Sequence, residues 1–136
     1  MGLVADTSAI VAIERGGDLE RTLGDLGDEA LVMPAIVYAE LLAGAALTRD
    51  PTRAAERRAK IATVATAFPI VEFGQVFAER WAEIVGELRA QGNPIPSNDA
   101  QVAATALGLG FGVLVGPADE ARFRQVPSLA VRVLSG

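Results

Sequence analysis

Four acidic positions stand out by the company they keep. Asp6 ends the apolar run Gly2-Leu3-Val4-Ala5 and opens Asp6-Thr7-Ser8. Glu40 lies inside Ala35-Ile36-Val37-Tyr38-Ala39-Glu40-Leu41-Leu42-Ala43-Gly44, with no Lys or Arg three or four places away. Asp99 heads Asp99-Ala100-Gln101-Val102-Ala103-Ala104-Thr105-Ala106-Leu107, and Asp119, with Glu120 beside it, follows Val113-Leu114-Val115 across Gly116-Pro117-Ala118. Charged side chains seldom enter such apolar surroundings unless they are paired or hold a cation. Each position also has a plain reading. Asp6, Asp99 and Asp119 suit helix caps or first-turn charges, and Glu40 suits the exposed edge of a helix. Gathered at one place, the carboxylates would repel and raise one another's pKa until a cation neutralised them. An all-oxygen donor set matches Mg²⁺ or Mn²⁺, which lower the pKa of a bound water and stabilise a phosphoryl transition state.

The rest of the composition narrows the chemistry. The chain has neither His nor Cys. The commonest general base, the thiol nucleophile and thiolate metal sites are therefore all excluded, and metal-activated water becomes the most accessible nucleophile. Hydrophobic residues make up 51% of the chain and charged residues 21%, so most of the length has the means to fold. The apolar set is rich in Ala, Val and Leu and poor in aromatics, which suits helices packed on a buried sheet. The net charge of −5 argues against nonspecific nucleic-acid binding over the whole surface. Basic residues do cluster locally, as Arg49, Arg53, Arg57, Arg58 and Lys60 on one expected helix. That cluster reads either as a solvated helix with ordinary charge pairs or as an edge that guides phosphates. The N-terminal residues lack a basic segment and a long apolar run, so a cytoplasmic protein without a membrane span is expected.

The positioning elements follow from short apolar runs alternating with helical patterns. Strands are expected over 2–5, 30–33, 69–72, 112–115 and 129–133. A first helix should start at Asp6-Thr7-Ser8 and stop at Gly16-Gly17, and a second should run from Leu19 to Leu26 and close at Gly27. Further helices are expected from Pro34 to near Gly44, over 52–67 after Asp50-Pro51, over 75–90, over 99–109 capped by Ser97 or Asn98, and over 119–124. In the 75–90 helix, Val76, Trp81, Ile84, Val85 and Leu88 form the expected apolar side. Strands alternating with helices predict an α/β domain, residues 1–136, with a central mostly parallel β-sheet flanked by helices on both faces. Ligands of open α/β sheets gather at the carboxyl ends of the strands, where Asp6 falls.

The motifs together resemble a known family. They are Val4-Ala5-Asp6-Thr7-Ser8-Ala9, Tyr38-Ala39-Glu40-Leu41-Leu42-Ala43-Gly44, Ile95-Pro96-Ser97-Asn98-Asp99-Ala100-Gln101-Val102-Ala103-Ala104-Thr105-Ala106, Leu114-Val115 and Phe123-Arg124-Gln125-Val126-Pro127. In this order they look like the PIN domain, in particular a VapC-type toxin of a bacterial toxin–antitoxin pair. The resemblance implies a PIN-like fold, a homodimer, Mg²⁺ or Mn²⁺ in an acidic pocket, endonucleolytic cleavage of RNA, and a cognate antitoxin protein. It matches Asp6, Glu40 and Asp99 to the first three family acids and Asp119 to the fourth, with Thr7 and Ser8 as supporting hydroxyls. The segment Gly116-Pro117-Ala118 departs from the pattern, which often has Ser or Thr before the fourth acid, and Glu120 stands as a substitute for Asp119. Two other readings stay open: a catalytically inactive PIN-like binding module, and a phosphoacceptor receiver domain. The second would need a Lys at the end of a late strand, and the single lysine is Lys60.

Overall fold

In the computed structural model, residues 2–16 and 18–134 are described. Strand β1 (Gly2–Ala5) is followed by α1 (Thr7–Gly16), α2 (Leu19–Leu26), β2 (Ala30–Pro34), α3 (Ala35–Ala46) and α4 (Pro51–Ala67). Then come β3 (Ile70–Val71), α5 (Gln75–Ala90), α6 (Ser97–Leu109), β4 (Gly112–Val115), a single 3-10 turn Pro117–Asp119, α7 (Glu120–Arg124) and β5 (Val131–Val133). The five strands form one sheet in the order β3-β2-β1-β4-β5. All four pairings are parallel, with Val4 opposite Val32 on one side and Val113 on the other.

All four residues of β1 and all four of β4 are buried. Successive side chains of a strand point to opposite faces, so the sheet centre is covered on both. Helix α6 supplies part of that cover with Ala100, Val102, Ala103, Ala104 and Ala106, all buried. Four of these five are alanines, whose small side chains suit close packing of a helix on a sheet. The helix ends at Gly110, whose φ of 71° lies in the left-handed region that glycine enters without strain. Phe68 and Phe123 are the largest fully buried side chains and anchor the ends of α4 and α7.

The chain builds β1, β2 and β3 in one direction, then crosses back to place β4 and β5 on the other side of β1. The strand order thus reverses between β1 and β4, which in open α/β sheets is where a ligand crevice forms. The receiver-domain reading falls here, because that fold runs in the order 2-1-3-4-5.

The expected mostly parallel sheet is borne out, with every pairing among the described residues parallel. Local expectations are corrected at several points. Strand β3 pairs over only two residues, as befits an edge strand beside Pro69, and β5 pairs over three. Val76 is exposed, and Phe77 takes its place in the inward stripe with Trp81, Ile84, Val85 and Leu88. Helix α6 starts at Ser97 behind Pro96, with no side-chain cap from Ser97 or Asn98. Helix α1 reaches Gly16 as expected, whereas Gly17, the other half of the expected stop, lies outside the described residues. No helix among the described residues is long and apolar enough to cross a membrane.

Candidate active site

A cavity of about 680 Å³ opens over the carboxyl ends of β1 and β4. Its walls bring together Asp6, Thr7, Ser8, Glu40, Asp99 and Asp119, so every acid singled out from the sequence except Glu120 lines it. Each arrives on a different element. Asp6 is the residue after β1, and its N–H donates to Leu114 O at 2.9 Å, extending the β1–β4 ladder by one step. Glu40 comes from the second turn of α3, Asp99 from the first turn of α6, and Asp119 from the 3-10 turn after β4.

The hydroxyls beside Asp6 fix two of the acids. Ser8 Oγ donates to Asp6 Oδ2 at 2.7 Å, and the Ser8 N–H donates to the same oxygen at 3.2 Å. Ser8 Oγ in turn accepts the Gly116 N–H at 2.9 Å. Gly116 is required by close approach: a Cβ there would stand 2.9 Å from Ser8 O. Thr7 Oγ1 donates to Glu40 Oε1 at 3.0 Å, tying α1 to α3. Gly116, the first residue of the segment Gly116-Pro117-Ala118, is thus held to Ser8 through its backbone N–H.

Asp99 and Asp119 are held by a residue that the sequence reading did not single out. Arg122 places Nε 2.9 Å from Asp99 Oδ2 and Nη2 2.8 Å from Asp119 Oδ1. The contact with Asp99 is a close ion contact without hydrogen-bond alignment, and Asp99 Oδ2 is a buried acceptor lacking a hydrogen-bond partner. The spacing of Asp119 and Arg122, three apart on a helical turn, was a visible signal for half of this arrangement. The reach to Asp99 was not visible. Glu120 instead pairs with Arg124 at 2.6 Å and does not line the cavity.

The electrostatics bind the acids into one site. Burial pushes the Asp6 carboxyl up to about 6; the Ser8 hydroxyl opposes this, and Asp99 and then Asp119 add to it. Asp99 is also raised, first by burial, with Arg122 opposing and Asp119 and Glu40 contributing repulsion. Each raised carboxyl therefore feels two of the other acids. Among the described residues no three acids converge as ready metal ligands as they stand. The donor set nevertheless fits a hard divalent cation: all oxygen, partly desolvated, and with the buried Asp99 Oδ2 held only by its ion contact with Arg122.

The basic helix α4 does not contribute to the cavity walls. Arg57 Nη1 donates to Gly44 O at 3.3 Å and to Thr48 Oγ1 at 3.2 Å, closing the end of α3. Lys60 lines a separate groove with Ile13, Leu19 and Val64. The cations that do line the acid cavity are Arg15, at the end of α1, and Arg122.

The fold and site define a parallel α/β domain with an acid-lined crevice at its switch point. Residues 3–129 match the model of the PIN domain family. The protein Ribonuclease VapC1 of Rickettsia felis is 32% identical over 135 residues, covering 99% of this chain and 98% of the relative. The chain therefore belongs to the PIN domain family, among its VapC members. Solved structures share the fold. VapBC2 from Rickettsia felis, bound to a DNA fragment from its promoter, superposes with a TM-score of 0.87 at 20% identity over 99% of this chain and 100% of the other. VapBC-5 from Mycobacterium tuberculosis, a member of the VapBC family of toxin-antitoxin systems, does so with a TM-score of 0.75 at 23% identity over 99% and 98%.

Proposed function

We propose that this chain is a divalent-metal-dependent endoribonuclease, the toxin of a type II toxin–antitoxin pair, acting in the cytoplasm on RNA. The observation that carries this reading is the set of four carboxylates lining one crevice of a PIN-family chain that has no His or Cys. Asp6, Glu40 and Asp99 would hold Mg²⁺ or Mn²⁺, with Asp119 as the fourth acid. When bound, the ion supplies a water acidified toward neutral pH and polarisation of the phosphoryl oxygens. The chain's own contribution is preorganisation. Ser8 and Thr7 fix the carboxylates of Asp6 and Glu40, so neither has to be reoriented when substrate arrives. Arg15 gives the crevice mouth a positive group for the RNA backbone. Arg49, Arg53, Arg58 and Lys60 would act only as a more distant guiding edge, with Arg57 engaged at the end of α3.

A cognate antitoxin as inhibitor is supported by the relatives' toxin–antitoxin assemblies. Such an inhibitor has an obvious chemistry available, a basic side chain, best Arg, placed among the carboxylates. A homodimer is part of the same reading, with Ile70, Phe73 and Val76 as large apolar side chains left exposed on and beyond the edge strand.

Induced expression of the wild-type chain and of Asp6→Asn, followed by sequencing of RNA 5′ ends, tests the assignment. New 5′ ends should appear with the wild type and be absent with Asp6→Asn. Identical end profiles from both would remove the basis for a nuclease centred on these acids.

A further inference from the structure

We infer that Arg122 is the resident counter-ion of the acid crevice, a positioning residue that competes with the divalent ion for Asp99 and Asp119. This inference rests on the metal-dependent reading above. One guanidinium contacts two carboxylates from different elements, Nε at 2.9 Å from Asp99 on α6 and Nη2 at 2.8 Å from Asp119 on the 3-10 turn. A planar fork with several donors can span such a pair, whereas a point charge on a flexible stem cannot do so with the same geometry. The plain alternative is a surface pair between positions three apart on a turn. That accounts for Asp119 but not for Asp99, a buried carboxylate from another helix.

The anchoring of Arg122 suits an exchangeable ion. Its neighbour Phe123 is fully buried and fixes α7 against the core. The Arg122 side chain itself is 44% exposed, so its head group can leave the acids without disturbing that anchor. In the metal-free chain the guanidinium offsets the mutual repulsion of the acids and holds α6 to the segment after β4. It also takes the charge-compensating position that a divalent ion needs. A guanidinium and a divalent ion drawn to the same carboxylates repel each other, so the presence of one weakens the hold of the other.

The test is calorimetric titration of Mn²⁺ into the full chain without RNA, alongside thermal unfolding in EDTA and in saturating Mn²⁺. Arg122→Ala should bind Mn²⁺ more tightly than wild type by about fivefold, the ratio that about 1 kcal/mol represents. It should unfold at lower temperature than wild type in EDTA, and that gap should narrow in Mn²⁺. A merely structural arginine gives the opposite sign, since its loss would loosen Asp99 and Asp119 and weaken the metal. If Arg122→Ala does not fold in EDTA, Arg122→Gln keeps much of the reach without the charge and carries the same comparison. Arg122→Lys retains the charge and should stay nearer to wild type than Arg122→Gln does. Equal or weaker Mn²⁺ affinity in the uncharged variants overturns the counter-ion role while leaving the metal site standing. No Mn²⁺ binding by any of the proteins overturns both.

Discussion

The N–H of Gly116 donates to Ser8 Oγ at 2.9 Å, joining positions 108 apart in the chain. Since Ser8 Oγ also donates to Asp6, the hydroxyl couples the first acid to the segment that carries the fourth. Ser8→Ala should leave a buried N–H unpaired and a buried carboxylate less well held, destabilising the fold by about 1–3 kcal/mol. Gly116→Ala should cost a similar amount, about 1–3 kcal/mol, because its Cβ meets backbone rather than a movable side chain. Urea unfolding of both variants checks this; midpoints unchanged from wild type would show that the link carries no stability.

The acids should rank by their place in the crevice. Asp6→Asn, Glu40→Gln and Asp99→Asn should each abolish most of the cleavage rate, since positioning and charge fail together. Asp119→Asn should cost less, on the order of tenfold, or about 1.4 kcal/mol of transition-state stabilisation. Glu120→Gln should stay within about twofold of wild type, an energy in the range of an exposed pair such as its contact with Arg124. Single-turnover rates on one RNA decide this. A Glu120 variant worse than the Asp119 variant would show that the fourth acid has been misplaced.

The raised Asp6 carboxyl predicts a stability effect with a definite sign. Its pKa goes from 3.8 to about 6 on folding, so the folded chain holds this proton more tightly than the unfolded one. The resulting cost is absent below about 3.8, grows as pH rises through the window to about 6, and is complete above it. Asp6→Asn removes the cost. In EDTA the variant should gain stability over wild type at pH 7.5 by on the order of 1–3 kcal/mol, and the gain should fade toward pH 4.5. A difference between the two proteins that does not change with pH would contradict the buried, charge-strained state assigned to Asp6.

Cations inside and outside the crevice should separate in RNA affinity. Arg15→Ala should weaken binding of an unrelated set of RNAs about equally and lower the salt slope by about one. The pair Arg53→Ala and Arg58→Ala on α4 should have the smaller effect. Arg57→Ala should act on stability instead, through the end of α3, by about 0.5–1.5 kcal/mol. Binding titrations at several salt concentrations distinguish these outcomes, and a larger loss from the α4 pair would move the RNA path onto that helix.

The parts of the fold legible in the sequence were those governed by local pattern. Buried parallel strands read as unbroken apolar runs, which is why β1 and β4 were found at their observed limits. Asp6, Glu40 and Asp99 were visible as lone charges in apolar company, and the reversal of strand order then carried them to one crevice. What escaped depended on tertiary reach. Arg122 belongs to a charged segment with several plausible partners, and only the placement of α6 beside the turn after β4 selects Asp99. The α4 bases attracted attention by their number, yet the helix lies away from the crevice. Val76 is apolar but falls outside the helical spacing of Trp81, Ile84, Val85 and Leu88, which selects Phe77 instead, and Phe77 packs against Gly108.

On the reading proposed above, the carboxylate crevice cleaves RNA only with a divalent ion bound. The most direct measurement is cleavage of one RNA by the purified chain in EDTA, then after restoring Mg²⁺ or Mn²⁺, with Asp6→Asn in parallel. Cleavage should vanish in EDTA, return with either ion, and stay absent in Asp6→Asn. Undiminished cleavage in EDTA, or a fully active Asp6→Asn, would contradict a metal-dependent site centred on Asp6.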